Sequence, residues 1–444
     1  MMDRSKTVAV FGLGRVGSII AASLLRNGFF VYGVDKDRSK LESIKREREL
    51  YWDEPKVDRV LIKAYKEGKL ILTSSGEEAS KFSRVKLVSI PIPLKGKDPD
   101  FTNFKNAIKE LSKGIKRGDL VSIESSVPPG TTRYIALPIM EAVSGLQGEK
   151  DFYLVYSPER IYQGRGLADL EENYLKVVAG LGPKSLEEGV RFYSKIAKKG
   201  VITLSKLEAA EVEKLAEGIY RDVNIALANE LALACEALGV DFWEVRKAAN
   251  LQPVCHIHLP GTGVGGNCIP VYPYYLLSVV KKLKMKVVEA ARKRNEMMPK
   301  MIARLLDEFV TYKRLRVSKV AVLGLAFRGD VNDDRNSPTY ELIEELKELG
   351  YSFLIHDPFI KRPSKKVKVY SDLKRVLRNC EIAVIATDAS YYRRLSFDET
   401  KKMAGKDIYI FDARGVLDRK MFQEERLRII GVPPKLEITH IPID

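Results

Sequence analysis

Cysteine and histidine are both scarce in this chain, with four of each among 444 residues. Cys235, Cys255, Cys268 and Cys380 form no CxxC pair and stand at no metal-ligand spacing from the histidines. A disulfide framework and a structural zinc site are thereby excluded, no metal is expected, and a reducing, cytoplasmic setting is. No apolar run is long enough to span a bilayer, so no membrane partner is expected. Met1 to Lys6 lead straight into an apolar strand, so no signal peptide is expected. Long blocks of one charge are missing too. The net charge is +16, yet the basic residues are spread along the chain, with only short clusters such as Lys361 to Lys368. Nucleic acid is therefore not an expected partner, although a basic field helps gather phosphorylated substrates.

What is present is ordinary for a multidomain globular protein: 45% hydrophobic and 30% charged residues. One phrase occurs twice. VAVFGLGRVG begins at Val8 and VAVLGLAFRG at Val320, each an apolar run ending in glycine. Such a run reads as a buried parallel strand turning sharply into a helix. The fold class expected is α/β, with two Rossmann-like doubly wound parallel-sheet domains joined by a long central helix and a helical domain. The boundaries expected are 1–203 for a cofactor domain, 204–314 for the helical, dimer-forming part and 315–444 for a second α/β domain.

In the first unit, strands are expected at Val8–Phe11, Phe30–Val34, Leu87–Ile90, Leu120–Ile123 and Phe152–Val155, with a helix over Ser18–Asn27. From Lys206 to Leu238 apolar residues recur at helical spacing, interrupted at most near Gly218. A helical hairpin, a cysteine loop and a helix ending near Tyr312 are expected next. Strands follow near Val320–Leu323, Ser352–His356, Ile382–Ala386 and Ile408–Phe411, and an irregular tail from Pro433 to Asp444.

Gly12-Leu13-Gly14-Arg15-Val16-Gly17 fits GxGxxG between a strand and a helix, and the next strand ends at Asp35. Glycines let the backbone approach a pyrophosphate at the positive end of the helix dipole. Asp35 can accept from an adenosine ribose and repels a 2′-phosphate, so NAD rather than NADP is the expected cofactor. Arg15, Val16, Pro91 and Ser126 border the same crevice and join the expected cofactor set. The second copy has Ala326 at its middle position and only Asp357 after its second strand, so it is not expected to hold a dinucleotide in the same way. Cys268 lies in the glycine-rich loop Gly261-Thr262-Gly263-Val264-Gly265-Gly266-Asn267, a setting suited to a nucleophile; Cys235 and Cys255 read as small buried residues.

Taken in order, these segments resemble the UDP-sugar 6-dehydrogenase family. Glu124-Ser125-Ser126-Val127-Pro128-Pro129-Gly130-Thr131-Thr132 resembles its ESTVPPGTT, Ser157-Pro158-Glu159-Arg160 its SPER, and Pro260 through Pro270 its PGxGVGGHCIP. Gly324-Leu325-Ala326-Phe327-Arg328 with Asp334-Arg335-Asn336-Ser337-Pro338 resembles GLAFK…DDxRxSP, and the helix around Lys214 its KLxENxxRxVNIALxNE. The resemblance implies oxidation of a sugar primary alcohol to a carboxylate with two NAD. It leans toward the N-acetylated sugars, UDP-N-acetylmannosamine or UDP-N-acetylglucosamine, with UDP-glucose as the alternative. It implies Cys268 as the nucleophile, Lys214 at the oxyanion, Glu159 as general base and Ser126 in the water network. Glu159 and Lys214 double as substrate contacts, with Arg160, Gly265, Gly266 and Arg328; Arg335 is implied at the NAD pyrophosphate. Glu159 has an alternative fate in an ion pair with a neighbouring Lys or Arg. A homodimer through the central helix is implied as well.

The match fails at particular places. Gly218 stands for the family's asparagine, Tyr272 for its aspartate, Asn267 for histidine, Val254 for an arginine and Ala389 for a histidine. These departures leave open a relative that binds NAD and a nucleotide sugar without completing the oxidation, and one that stops at the aldehyde.

Overall fold

The protein is described by a computed structural model covering residues 3–48, 54–162 and 164–433. The expected tail beyond Pro433 lies outside the described residues. The chain divides into two compact units, residues 1–217 with 274–283 and residues 218–273 with 284–444. The division falls inside the central helix, Leu207–Ala237, which runs through Gly218 without interruption.

The N-terminal unit is built on β1 (Thr7–Phe11), β2 (Phe30–Val34), β3 (Leu70–Thr73), β4 (Val85–Val88), a small hairpin of β5 (Leu94–Lys95) and β6 (Asp98–Pro99), β7 (Leu120–Ile123), β8 (Tyr153–Tyr156), β9 (Lys176–Gly180) and β10 (Val201–Leu204). Eight of these form one sheet in the order β10-β9-β8-β7-β4-β1-β2-β3. Every residue of β1 is buried, as required of a parallel strand covered on both faces. Val8 pairs with Val31 on one side and Val85 on the other, so the strand order reverses at β1 and a ligand crevice opens at its carboxyl end. The sheet is parallel except between β8 and β9. Between those two strands the described residues form one short helical segment, Gly166–Asn173, and no long crossover helix to restore the direction. The helix after β1 spans Arg15–Arg26 and buries Ile19, Ile20, Leu24 and Leu25 in the core.

The C-terminal unit carries β11 (Lys319–Leu323), β12 (Ser352–His356), β13 (Val369–Tyr370), β14 (Ile382–Ile385), β15 (Tyr409–Asp412) and β16 (Leu427–Ile429), all parallel, in the order β13-β12-β11-β14-β15-β16. After the central helix comes one short helix, Phe242–Ala249, rather than a hairpin of two. The loop bearing Cys268 follows, then a helix over Tyr272–Val279 and a long one over Lys286–Tyr312. No strand was expected at β3, β5, β6, β9, β10, β13 or β16, which span two to five residues each; β3 and β10 are only partly buried, while β9 is buried from Lys176 to Ala179. No helix among the described residues is long and apolar enough to cross a membrane.

Candidate active site

The candidate residues fall into two groups, one in each unit. In the N-terminal unit, Gly12 adopts φ +95°, and a Cβ there would lie 2.5 Å from the Ser89 carbonyl and 2.9 Å from Ile90 Cδ1. A Cβ on Gly17 would run into the Gly12 carbonyl, so helix and turn pack backbone to backbone. Gly14 is different: nothing lies within 4 Å of the position its Cβ would take. That open face sits at the start of the Arg15–Arg26 helix, where backbone N–H groups suit a pyrophosphate. Arg15 and Val16 are half-buried on its first turn, and Pro91 is exposed on the loop after β4. Asp35 ends β2. Its Oδ2 accepts from Leu13 N at 3.0 Å and from Lys40 Nζ at 3.2 Å, and its Oδ1 accepts from Asp37 N at 2.9 Å. The acid thus ties the glycine loop to the strand end expected to meet a ribose. These features fit NAD.

The loop Glu124–Thr132 packs against the start of the central helix. Buried Glu211 accepts from Gly130 N and, at 2.8 Å, from Thr132 N, and burial holds its carboxyl above the ordinary range. Ser125 knits this loop to its neighbour, accepting from Ile90 N at 2.8 Å; Ser126 is half-buried beside it. Arg160 reaches Glu213 at 3.7 Å and Glu217 at 3.4 Å, the acids on either side of Lys214 along the helix, and also donates to the Leu175 carbonyl. Arg160 therefore clamps the Ser157–Arg160 loop to the helix segment that carries Lys214. The Lys214 side chain is 13% exposed, with Glu217 at 4.0 Å.

Glu159 is not alone. Lys176, at the head of β9, pairs with it and with Glu124, whose Oε2 lies 2.9 Å from the ammonium. Tyr193 donates its hydroxyl to Glu124 and meets Ser122 Oγ at 2.7 Å. All five side chains are buried. Burial, eased by Lys176 and reinforced by Glu159, pushes the Glu124 carboxyl up to about 8. Burial also opposes the charge of Lys176, but the two carboxylates together hold its ammonium above the ordinary value. Lys176 and Tyr193 had no local sequence signal, because their partners lie 17, 52 and 69 residues away.

In the C-terminal unit three of the sequence motifs meet. Gly266 N donates to the Arg335 carbonyl at 3.0 Å, and Asn336 Nδ2 donates to the Gly266 carbonyl at 3.0 Å. A Cβ on Gly265 would lie 2.7 Å from the Asn336 carbonyl and 2.8 Å from Phe327 Cβ; one on Gly266, at φ +87°, would lie 3.0 Å from the Phe327 ring. The cysteine loop is thus seated on Phe327 and on residues 335–338, and Cys268 stands exposed at its end. Its carbonyl accepts from Val271 N and Tyr272 N, both at 3.0 Å. The loop is anchored at its other end by a buried polar ladder. Asn229 Oδ1 accepts from Gly261 N at 2.8 Å, Asn229 Nδ2 donates to Asn295 Oδ1 at 3.0 Å, and Asn295 donates to Asp222, which also pairs with Arg292 at 2.7 Å. Arg328 is half-buried, while Arg335 is half-exposed and forks onto Asp333 at 2.8 and 2.5 Å.

The second glycine turn is closed. A Cβ on Gly324 would run into Thr387, and one on Gly329 would lie 2.5 Å from the Asp388 backbone. Asp357 accepts four backbone N–H groups, from Leu325 and Ala326 on Oδ2 and from Phe359 and Ile360 on Oδ1, where Asp35 accepts two. Ala389 is buried, whereas Val254 and Asn267 are exposed.

An α/β unit with an open glycine turn at a helix N-terminus, and a second α/β unit bearing an exposed thiol, define the class: a dinucleotide-dependent oxidoreductase. Residues 6–197, 208–297 and 321–419 match the NAD binding, central and UDP binding domains of the UDP-glucose/GDP-mannose dehydrogenase family. The chain belongs to that family, and its cofactor is NAD. UDP-N-acetyl-D-mannosamine dehydrogenase of Pyrococcus horikoshii is 35% identical over 412 residues, spanning 92% of this chain and 96% of its own. A solved structure of UDP-D-ManNAc dehydrogenase from the same organism has a TM-score of 0.87 at 34% identity, covering 96% of this chain and 99% of that one. NDP-N-acetyl-D-galactosaminuronic acid dehydrogenase of Methanosarcina mazei Go1 has a TM-score of 0.83 at 30% identity, covering 97% and 96%.

Proposed function

We propose that this chain oxidises the 6-hydroxyl of a UDP-N-acetylhexosamine, foremost UDP-N-acetylmannosamine, to the carboxylate. The observation that carries this reading is the exposed thiol of Cys268 on a loop seated against Phe327 and residues 335–338. The names of the relatives, drawn from both the mannosamine and galactosamine series, support an N-acetylated sugar. Residues 1–203 hold the cofactor, 204–314 bear the thiol and the dimer contact, and 315–444 hold the UDP moiety.

When bound, NAD accepts a hydride in each of the two oxidations. The Cys268 thiolate adds to the aldehyde carbon, giving a thiohemiacetal whose oxidation leaves a thioester on sulfur. The Lys214 ammonium stabilises the oxyanion. Water then cleaves the thioester, releasing the acid and the thiol. Glu159 positions that water, and Ser126 supports it. Lys176 holds the Glu159 carboxylate in place, while Glu124, pushed up to about 8, keeps a proton beside it near neutral pH. Arg328 meets the nucleotide-sugar phosphates, and Arg335 meets the NAD pyrophosphate once it is drawn from Asp333. Asp35 takes the adenosine ribose.

The working form is a homodimer in the reducing cytoplasm. The exposed apolar side chains Tyr220, Leu227 and Leu238 on and just beyond the central helix support the dimer, and light scattering of the purified protein tests it. NADH formation with a panel of UDP-sugars tests the activity. Turnover is expected with UDP-N-acetylmannosamine, and Cys268→Ala is expected to abolish acid formation while nucleotide binding persists. Absence of turnover with every UDP-sugar at high enzyme concentration overturns the reading.

A further inference from the structure

A glycine in the interior of a 31-residue helix is unfavourable relative to alanine. Gly218 nevertheless sits there, buried, in a helix that continues straight through it. The reason lies outside the helix. A Cβ on Gly218 would run into the Tyr272 ring at Cδ2, and would lie 3.1 Å from Cε2 and 3.3 Å from Cγ. Tyr272 is 4% exposed, so its ring fills the hollow that the missing side chain leaves. The same residue begins the Tyr272–Val279 helix and donates its amide to the Cys268 carbonyl at 3.0 Å. The turn that holds Cys268 therefore ends on a ring seated against bare backbone, one helical turn beyond Lys214 in sequence.

We propose that Tyr272 and Gly218 form a matched pair that positions the nucleophile: the ring, docked on the bare backbone, fixes the Cys268–Tyr272 turn on the central helix. The two departures from the family pattern are then one exchange. A pair of polar side chains is replaced by a ring and the space to receive it. Tyr272 is a positioning residue, acting on the thiol through the turn. Its bearing on turnover rests on the reading of Cys268 as the nucleophile, whereas the packing itself does not.

The test uses the full chain and four variants: Gly218→Ala, Tyr272→Ala, the double variant, and Tyr272→Phe. The readouts are the melting temperature and the rate at which iodoacetamide alkylates Cys268, followed by peptide mapping to separate it from Cys255. An alanine replacing a mid-helix glycine ordinarily raises Tm by about 2–4 °C. Here Gly218→Ala is expected to lower Tm and to change the Cys268 alkylation rate several-fold. Against Tyr272→Ala, the same substitution is expected to raise Tm and leave the alkylation rate unchanged. Tyr272→Phe keeps the ring and is expected to keep the Cys268 alkylation rate of wild type. The proposal is overturned if Gly218→Ala raises Tm equally in both backgrounds, or if Tyr272→Phe behaves as Tyr272→Ala. None of these readouts needs a substrate. Failure to turn over any UDP-sugar would therefore defeat the proposed function alone, and an absent sign reversal would defeat this pairing alone.

Discussion

Replacing Glu124 by glutamine changes how stability depends on pH. The wild-type side chain is fully buried, accepts from Tyr193 and Lys176, and lies against Glu159, so its carboxyl is pushed from 4.5 up to about 8. The folded protein then holds a proton that the unfolded chain releases throughout the window from about pH 4.5 to 8. Stability from this source is fully present below 4.5 and is lost as pH rises through about 8. At about 1.36 kcal/mol per pH unit, the ceiling on the loss is about 5 kcal/mol. Glutamine carries no titrating proton. Its oxygen still accepts from Lys176, and its amide N–H can donate to the Tyr193 hydroxyl, which turns to Ser122. Urea melts of wild type and Glu124→Gln between pH 5 and 9, followed by circular dichroism, measure the difference directly. The variant should gain on wild type by several kcal/mol as pH rises from 5 to 9. Parallel curves would refute the protonated, buried state of the cluster.

Removing Lys176 is the harsher change: Lys176→Met leaves the buried Glu124 and Glu159 without the ammonium they share and should cost about 3–5 kcal/mol in the same urea melts at pH 8. Asn229→Ala strips the acceptor from Gly261 N and a donor from Asn295, and should destabilise by about 1–3 kcal/mol, with faster hydrogen exchange at Gly261. Asp35→Ala removes the acid that braces the Gly12–Gly17 turn, and should raise the KM for NAD about tenfold or more while narrowing the preference over NADP.

The sequence displayed features whose meaning is local. Glycine spacing, a strand ending in Asp35 and a cysteine among glycines are each set by neighbours a few residues away, so the glycine turn after β1 and the loop that carries Cys268 were legible in outline. Contacts between distant segments were not. Glu159 could be read as a base or as half of an ion pair, and only the folded sheet brings Lys176 to it. Asp357 follows its strand as Asp35 does, yet the fold surrounds it with backbone donors. Gly218 read as a weak point in a helix, because a glycine reports nothing of what lies against it. The short strands β3 and β10 escaped notice because half-exposed segments of four residues carry no firm period.

The central claim is that one thiol carries the sugar through its second oxidation, and the most direct measurement is to catch it doing so. Glu159→Gln enzyme would be mixed with NAD and a stoichiometric amount of UDP-N-acetylmannosamine, quenched in acid within a single turnover, and digested for mass spectrometry. The account predicts a uronyl thioester on the peptide containing Cys268, decaying to free acid, with two NADH formed per sugar in the wild-type enzyme. An unmodified Cys268 peptide alongside full acid production would contradict it.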